Sequence, residues 1–275
     1  MDRWSLSHAN ILVGNERNAA GLEWAIGGGS LRFRDDADIA LAGAEVDATL
    51  DDTPVATGTR ISARAGQVLA IERLLIRRFV YLAISGGISC PPVLGSRSTY
   101  VPAAFGGIEG RSLKKGDIIP ITQVASGGKH AGVELGSIEG PDYDSELIRV
   151  VAREDGRAFE DFADASFTVA AASDRMGYRL EANRQMEDMG ASITSEPVCA
   201  GAIQIPPSGE PIVLMADSPT VGGYRLIATV ISSDLPILAQ CMPGRIVRFA
   251  GVSVRIAQKD SLRWEGLLSD RGARE

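Results

Sequence analysis

Thirty-one glycines cut this chain into short apolar runs, and that punctuation limits the possible fold more than any single motif does. SLRF (30–33) and DIALAG (38–43) are brief alternating or apolar stretches bounded by Gly and Asp, the pattern of strands. ATLDDTPVA places two strand ends around an Asp51–Asp52 turn, and ISARAGQVLAI predicts a hairpin turning at Ala65–Gly66. FVYLAIS (79–85) is nearly all apolar and stops at Gly86–Gly87, as a buried strand would. The pair Gly116–Asp117 turns into IIPIT, and further strands are expected at LIRVVA (147–152), SFTVAA, GYRLEA, GAIQIP, PIVLMA and YRLIATVI. IPPSGEP between two of these is a tight, proline-stiffened connection.

Few segments have the helical period. SLSHANILVGN (5–15) carries Leu6, Ala9, Leu12 and Val13 on one face and stops at Gly14–Asn15. RAFEDFAD (157–164) and DLPILAQC (234–241) are short candidates, the second with Asp234 as N-cap. The tail SVRIAQKDSLRWEGLL predicts an amphipathic helix with Ile256, Leu262 and Leu267 on one side. With no fixed-period repeat, the pattern is that of a mainly β protein built from one or two closed or nearly closed barrels.

Composition narrows the partners. A formal net charge of −7 argues against a sequence-independent nucleic-acid binder, which needs cationic surface to release counterions. No apolar run reaches the roughly 18–20 residues that span a bilayer. The first residues, MDRWSLSHANILVGN, lack the features of a secretory signal, and the three widely spaced cysteines suit a reducing cytoplasm. Cys90, Cys199 and Cys241 are each read as small buried apolar residues.

Familiar catalytic arrangements are missing. The two histidines, His8 and His130, are isolated in sequence, whereas zinc sites and Ser–His–Asp triads need positioned imidazoles. No phosphate loop and no strand–GxGxxG–helix fingerprint occurs, and no metal site is expected. Glu109, Asp117, Asp174 and Asp217 flank glycine-rich turns, where a pair could serve acid–base chemistry. Residue chemistry alone therefore reaches only a soluble β protein that binds a polar small molecule.

Longer segments go further. GSRSTY (95–100), FGGIEGRSLKKGD (105–117), SDRMGYRLE (173–181) and GAIQIPPSGEPIVLMADSPTVGGYRLIATVISSDLP (201–236), with HANILVGN near the start, together resemble one family. It is the biotin-dependent carboxyltransferase-like group, which includes allophanate hydrolase subunit 2, KipA-type proteins and the C component of 5-oxoprolinase. The resemblance covers nearly the whole chain. It implies a cyclophilin-like β-barrel architecture with a few short helices, in an N-terminal β-rich subdomain (1–125) and a C-terminal barrel subdomain (145–275). It also implies a KipI-type (subunit 1) partner that completes the site. A LamB/YcsF-type protein or a biotinylated carrier would be further partners. ATP or carboxybiotin would come through those partners, because this chain has neither a phosphate loop nor a Met-Lys-Met biotinylation context around Lys114, Lys115, Lys129 or Lys259.

Transfer or opening at an amide develops negative charge on carbonyl oxygen, which backbone N–H groups and guanidinium forks stabilise without histidine. From the resemblance, Arg175, Tyr178 and Gln204 are expected to be catalytic. Ser96, Arg97, Ser98 and Thr99 would form one substrate wall, with Asp174 and Arg179 on another and Gly222, Gly223 and Tyr224 closing the pocket. The chain departs from the family pattern in places. It starts near the end of a longer N-terminal segment usual in the family. Asp174 stands where Asn is usual, and Pro219, Val221 and Arg225 stand for Gln, Thr and Pro. Two functions follow as expectations: a subunit of an ATP-dependent amidolyase or carboxyltransferase-type complex, or a non-catalytic protein that regulates a KipI-type kinase inhibitor.

Overall fold

The computed structural model describes residues 1–122, 140–153, 157–184 and 192–269. The chain separates into two compact units. One comprises Arg3–Glu139 with Leu268–Glu275 and is called the N-terminal unit here; the other, the C-terminal unit, comprises Gly140–Leu267 with Met1–Asp2.

The N-terminal unit opens with helix α1 (Arg3–Leu12), followed by β1 (Leu22–Ala25), β2 (Gly29–Arg32), β3 (Ala37–Leu50), β4 (Thr53–Pro54), β5 (Arg60–Ala63) and β6 (Val68–Ile84). Its sheet is organised on two long strands. β6 pairs with β1 and β2 on one side and with β3 on the other, all antiparallel. The apolar runs VLAI and FVYLAI are thus one 17-residue strand, bent where its register with β3 slips between Gly43 and Ala48. Arg77 has φ +72° there, the left-handed conformation of a bulge residue. Helix α1 packs on β3 and β6. Both faces of β3 are therefore buried: Ile39 and Leu41 on one, and the small Ala40 and Ala42 on the other.

The HANILVGN segment acts through its asparagines. Fully buried Asn10 donates its side-chain amide to Ala19 O at 2.8 Å. Asn15 donates to Ile84 O at 2.8 Å and accepts from Gly86 N at 2.8 Å, tying the end of α1 to the end of β6. The Asp51–Asp52 turn forms as expected, with both residues at positive φ between Leu50 and Thr53. ISARAGQVLAI is not a hairpin. β5 pairs with β3, while the start of β6 pairs with β2. IIPIT forms no strand, only a bridge between Ile88 and Ile121.

In the C-terminal unit lie β7 (Leu147–Ala152), α2 (Arg157–Ala163), β8 (Ser166–Val169), β9 (Gly177–Ala182), β10 (Ser192–Pro197), β11 (Ala202–Ile205), β12 (Ile212–Leu214), β13 (Val221–Val230), α3 (Leu235–Ala239), β14 (Ile246–Gly251) and α4 (Val254–Ser269). The order β13-β11-β12-β9-β8-β14-β7 returns to β13 through Ala228–Ala152 pairing, which closes a seven-stranded barrel. Among the described strands of this unit only the β14–β7 pair is parallel. β10 adds to the first half of β13 outside this ring. Inward residues alternate along the strands: Phe167 and Val169, Tyr178 and Leu180, Ile203 and Ile205, Val247 and Phe249. Phe162 from α2 joins Phe167 and Phe249 with ring centroids 4.8 and 4.9 Å away.

Three sequence expectations change here. Asp234 stands at the start of α3 but makes no side-chain cap bond. Its carboxylate instead accepts from Arg149 on β7, at N, Nε and Nη2, while Arg149 also binds Asp260 on α4. The amphipathic side of α4 also differs, because Leu262 is 72% exposed whereas Leu267 is half-buried. Cys199 is exposed, against the expectation that it is buried, unlike Cys90 and Cys241, and none of the three is in a disulfide among the described residues.

Candidate functional site

Ser96–Thr99 belong to the N-terminal unit and Asp174–Tyr224 to the C-terminal unit, and each set is described within its own unit.

In the C-terminal unit, the turn before β9 is made by Asp174. Its carboxylate Oδ1 accepts from the N–H groups of Met176 and Gly177 at 2.8 and 3.2 Å, an Asx-type turn. An asparagine oxygen would accept the same two bonds, so the exchange from the usual Asn keeps this role. Arg175, next in sequence, directs Nε and Nη2 to the two carboxylate oxygens of Asp217, each at 2.8 Å. Tyr178 is fully buried among the barrel's inward residues, and its hydroxyl donates to Ala239 O at 2.7 Å. Arg179 lies on the outer face and is exposed.

Register places Arg179, Ile212, Gln204 and Leu226 in one row across β9, β12, β11 and β13. Gln204 is nonetheless only 4% exposed, with its amide against the β13 backbone at Gly222 and Tyr224. Its Nε2 donates to Tyr224 O at 3.4 Å. A Cβ on Gly222 would stand 2.4 Å from that same nitrogen. Gly222 is therefore a glycine so that the Gln204 amide can lie against the β13 backbone. Gly223 faces Ile193 O and Ser195 Oγ of β10, and Tyr224 is 41% exposed beside it. The structure thus brings Gln204, Gly222 and Tyr224 together, and holds Arg175 on Asp217.

In the N-terminal unit, Val93 and Ser96 exchange two backbone hydrogen bonds of 2.8 and 3.0 Å around Leu94–Gly95. Arg97 donates Nε to Cys90 O at 3.0 Å, and its side chain is exposed. Ser96 Oγ accepts from Ser98 N at 3.1 Å. Tyr100 and Phe105 pair through backbone bonds and through rings 5.3 Å apart. The glycines of FGGIEGR sit against the chain itself. A Cβ on Gly106 would lie 2.2 Å from Ser98 O, one on Gly107 1.9 Å from Thr99 Oγ1, and one on Gly110 2.2 Å from Ala104 O. The close backbone approach that these residues permit is between SRST and FGG, which locks both into one ordered loop.

The four carboxylates near glycine turns are all engaged. Glu109 and Asp117 share the Arg111 guanidinium, and Asp117 also accepts from Lys114 N at 2.7 Å. The Arg111 hydrogen bond, helped by Lys114 N, holds the Asp117 carboxyl down at about 2. Asp174 and Asp217 are used as above. His8 is half-buried on α1, and His130 lies outside the described residues. Among the described residues no group of three or more His, Cys, Asp and Glu side chains is placed to hold a metal, and no helix is long and apolar enough to cross a membrane.

Comparison with known proteins adds a decisive match: the model of the carboxyltransferase domain, subdomains A and B, spans residues 1–251. The chain belongs to this carboxyltransferase-domain family. It is 38% identical to the C component of Escherichia coli 5-oxoprolinase over 268 residues, covering 94% of this chain and 84% of that one. It is 28% identical to Lachancea kluyveri urea amidolyase over 94% of this chain, but only 16% of the relative. The crystal structure of Kluyveromyces lactis urea carboxylase matches with TM-score 0.84 at 26% identity, over 98% of this chain and 26% of that one.

Within this carboxyltransferase-domain fold, sequence reading overlooked a buried polar centre. Asp2 is fully buried and accepts from Tyr143 Oη at 2.8 Å and Gln240 Nε2 at 2.9 Å. Its partners lie 141 and 238 residues away, so nothing local could have pointed to them. The bidentate Arg153–Glu196 pair beside Gly222 was missed for the same reason.

Proposed function

We propose that this chain is the C-type component of a 5-oxoprolinase-like amidolyase complex and completes its site with a KipI-type (subunit 1) partner. The observation that carries this reading is the 38% identity to the C component of 5-oxoprolinase across 94% of this chain and 84% of that one. In this reading the substrate is a lactam or related amide, and the partners supply ATP. A biotinylated carrier would take their place if the chemistry were that of urea carboxylase. Exposed guanidinium groups, Arg97 in one unit and Arg179 in the other, are suited to carboxylate or carbonyl oxygens.

Reconstitution tests it. This chain is mixed with purified subunit-1-type and LamB/YcsF-type proteins, and ATP hydrolysis is followed with and without 5-oxoproline. Lactam-dependent turnover above that of the partners alone is expected; turnover equal to the partners alone would overturn an enzymatic role.

A second reading has its own observation. Tyr178 Oη and Gln204 Nε2, two groups expected to be catalytic, are bonded to the protein's own carbonyls. A non-catalytic regulator of a KipI-type inhibitor would form a stoichiometric complex in the same experiment without turnover.

A further inference from the structure

We infer that the loop Pro91–Phe105 is the surface by which this chain docks onto an apolar, carboxylate-bordered pocket of a different polypeptide, the subunit-1-type partner. The inference rests on the partner in the proposed function and adds which surface meets it.

Leu94 carries the argument. It is 94% exposed and has φ +51°, followed by Gly95 at φ +79°, in a turn closed by the reciprocal Val93–Ser96 bonds. Two central residues at positive φ favour Asn, Asp or Gly. A leucine there adds backbone strain and gives up its whole apolar surface to water, with no intramolecular packing in return. Strain and exposure of this kind mark functional positions. The neighbours repeat the pattern, with Val93, Val101 and Phe105 exposed by 37, 48 and 40%. Beneath them the loop is fixed by the Tyr100–Phe105 pairing and by Gly106 and Gly107 against Ser98 and Thr99. Apolar side chains displayed on a rigid scaffold are what a protein interface uses as anchors.

Charge and chain length identify the occupant. Between residues 88 and 108 the sole charged side chain is Arg97, whose guanidinium stands exposed on the same loop. A complementary surface is therefore apolar with a carboxylate at its border. A second copy is disfavoured, since two chains of net charge −7 repel and each would present the same Arg97. The matching region makes up 26% of the urea carboxylase chain and 16% of urea amidolyase, so there it is accompanied by much additional polypeptide.

Leu94→Asn separates docking from folding, because asparagine suits the turn and deletes the apolar anchor. Purified wild-type, Leu94→Asn and Leu262→Asp proteins are titrated calorimetrically with the subunit-1-type protein, and each is run alone by light scattering and in a thermal melt. Leu262 is the control, being 72% exposed on α4, away from this loop in sequence. Expected results are an unchanged or raised melting temperature for Leu94→Asn, at least about 30-fold weaker binding, as for an anchor residue, and wild-type binding for Leu262→Asp. Equal binding by Leu94→Asn overturns the docking surface alone. A wild-type chain that does not bind overturns the proposed partner and this inference together. A wild-type dimer that Leu94→Asn converts to monomer assigns the surface to a second copy and overturns it as well.

Discussion

Arg175 and Asp217 are joined through both side chain and backbone: Nε and Nη2 meet the two carboxylate oxygens at 2.8 Å each, and Asp217 N donates to Arg175 O at 2.8 Å. The loop before β9 is thereby clamped to the loop between β12 and β13. Asp217 is 7% exposed, whereas the arginine side chain is 34% exposed, so solvent screens part of the interaction.

Asp217→Asn keeps the shape and removes the charge. A loss of about 1–2 kcal/mol is expected, below the cost of breaking a fully buried pair. Urea denaturation of Arg175→Gln, Asp217→Asn and the double variant measures the coupling. Strictly additive losses would mean that the two side chains do not support each other.

Gly95 and Gly107 both have positive φ, but only Gly107 has a neighbour in the way. Gly95→Ala should cost about 1 kcal/mol, the price of a Cβ in the left-handed region. Gly107→Ala adds a contact 1.9 Å from Thr99 Oγ1, so its melting temperature should fall clearly further. Equal melting temperatures would show that SRST and FGG are not packed together in solution.

For Asp174→Asn the expectation is near neutrality, within about 0.5 kcal/mol. The amide oxygen can accept from Met176 and Gly177 as the carboxylate does. A large loss, seen by thermal melt, would require the negative charge itself.

Tyr178→Phe removes the donor to Ala239 O and leaves that carbonyl unsatisfied in the core. About 1–3 kcal/mol should be lost. In reconstituted complexes held well below the melting temperature, turnover should stay within a fewfold of wild type. A hundredfold fall with the chain still folded would make the hydroxyl catalytic.

Asp117 sets a pH window. Its carboxyl is held at about 2 in the folded chain, below the ordinary 3.8, chiefly by its hydrogen bond from Arg111. A depressed carboxylate stabilises the fold fully above its unfolded value, and that contribution disappears as pH falls through the folded one. The stability difference between wild type and Asp117→Asn should therefore be constant above about pH 5 and shrink between about pH 4 and 2. Denaturation series across that range would detect a difference that instead grows on acidification.

Local pattern was enough for much of this molecule. The period-two runs from LIRVVA to YRLIATVI became β7, β8, β9, β11, β12 and β13, because alternation and turn residues act within a few positions. The Asp51–Asp52 turn was equally readable, since aspartate tolerates positive φ on its own account. Pairing was not readable. ISARAGQVLAI has the residues of a hairpin, yet each arm found a better partner elsewhere in the sheet.

The site divides along the same line. GSRSTY and FGG could be picked out as a glycine-rich, polar segment, but only packing showed that the glycines receive Ser98 O and Thr99 Oγ1. The Gln204 amide lies against Gly222, Arg175 is bound to a carboxylate 42 positions away, and Asp2 is bonded to Gln240 at the far side of the sequence. Strands, turns and helix ends follow from short-range backbone preference and periodicity, which are written in consecutive residues. Barrel closure through β13 and β7, and the partner of each polar side chain, depend on contacts between distant residues, whose free energy leaves no mark on the local sequence.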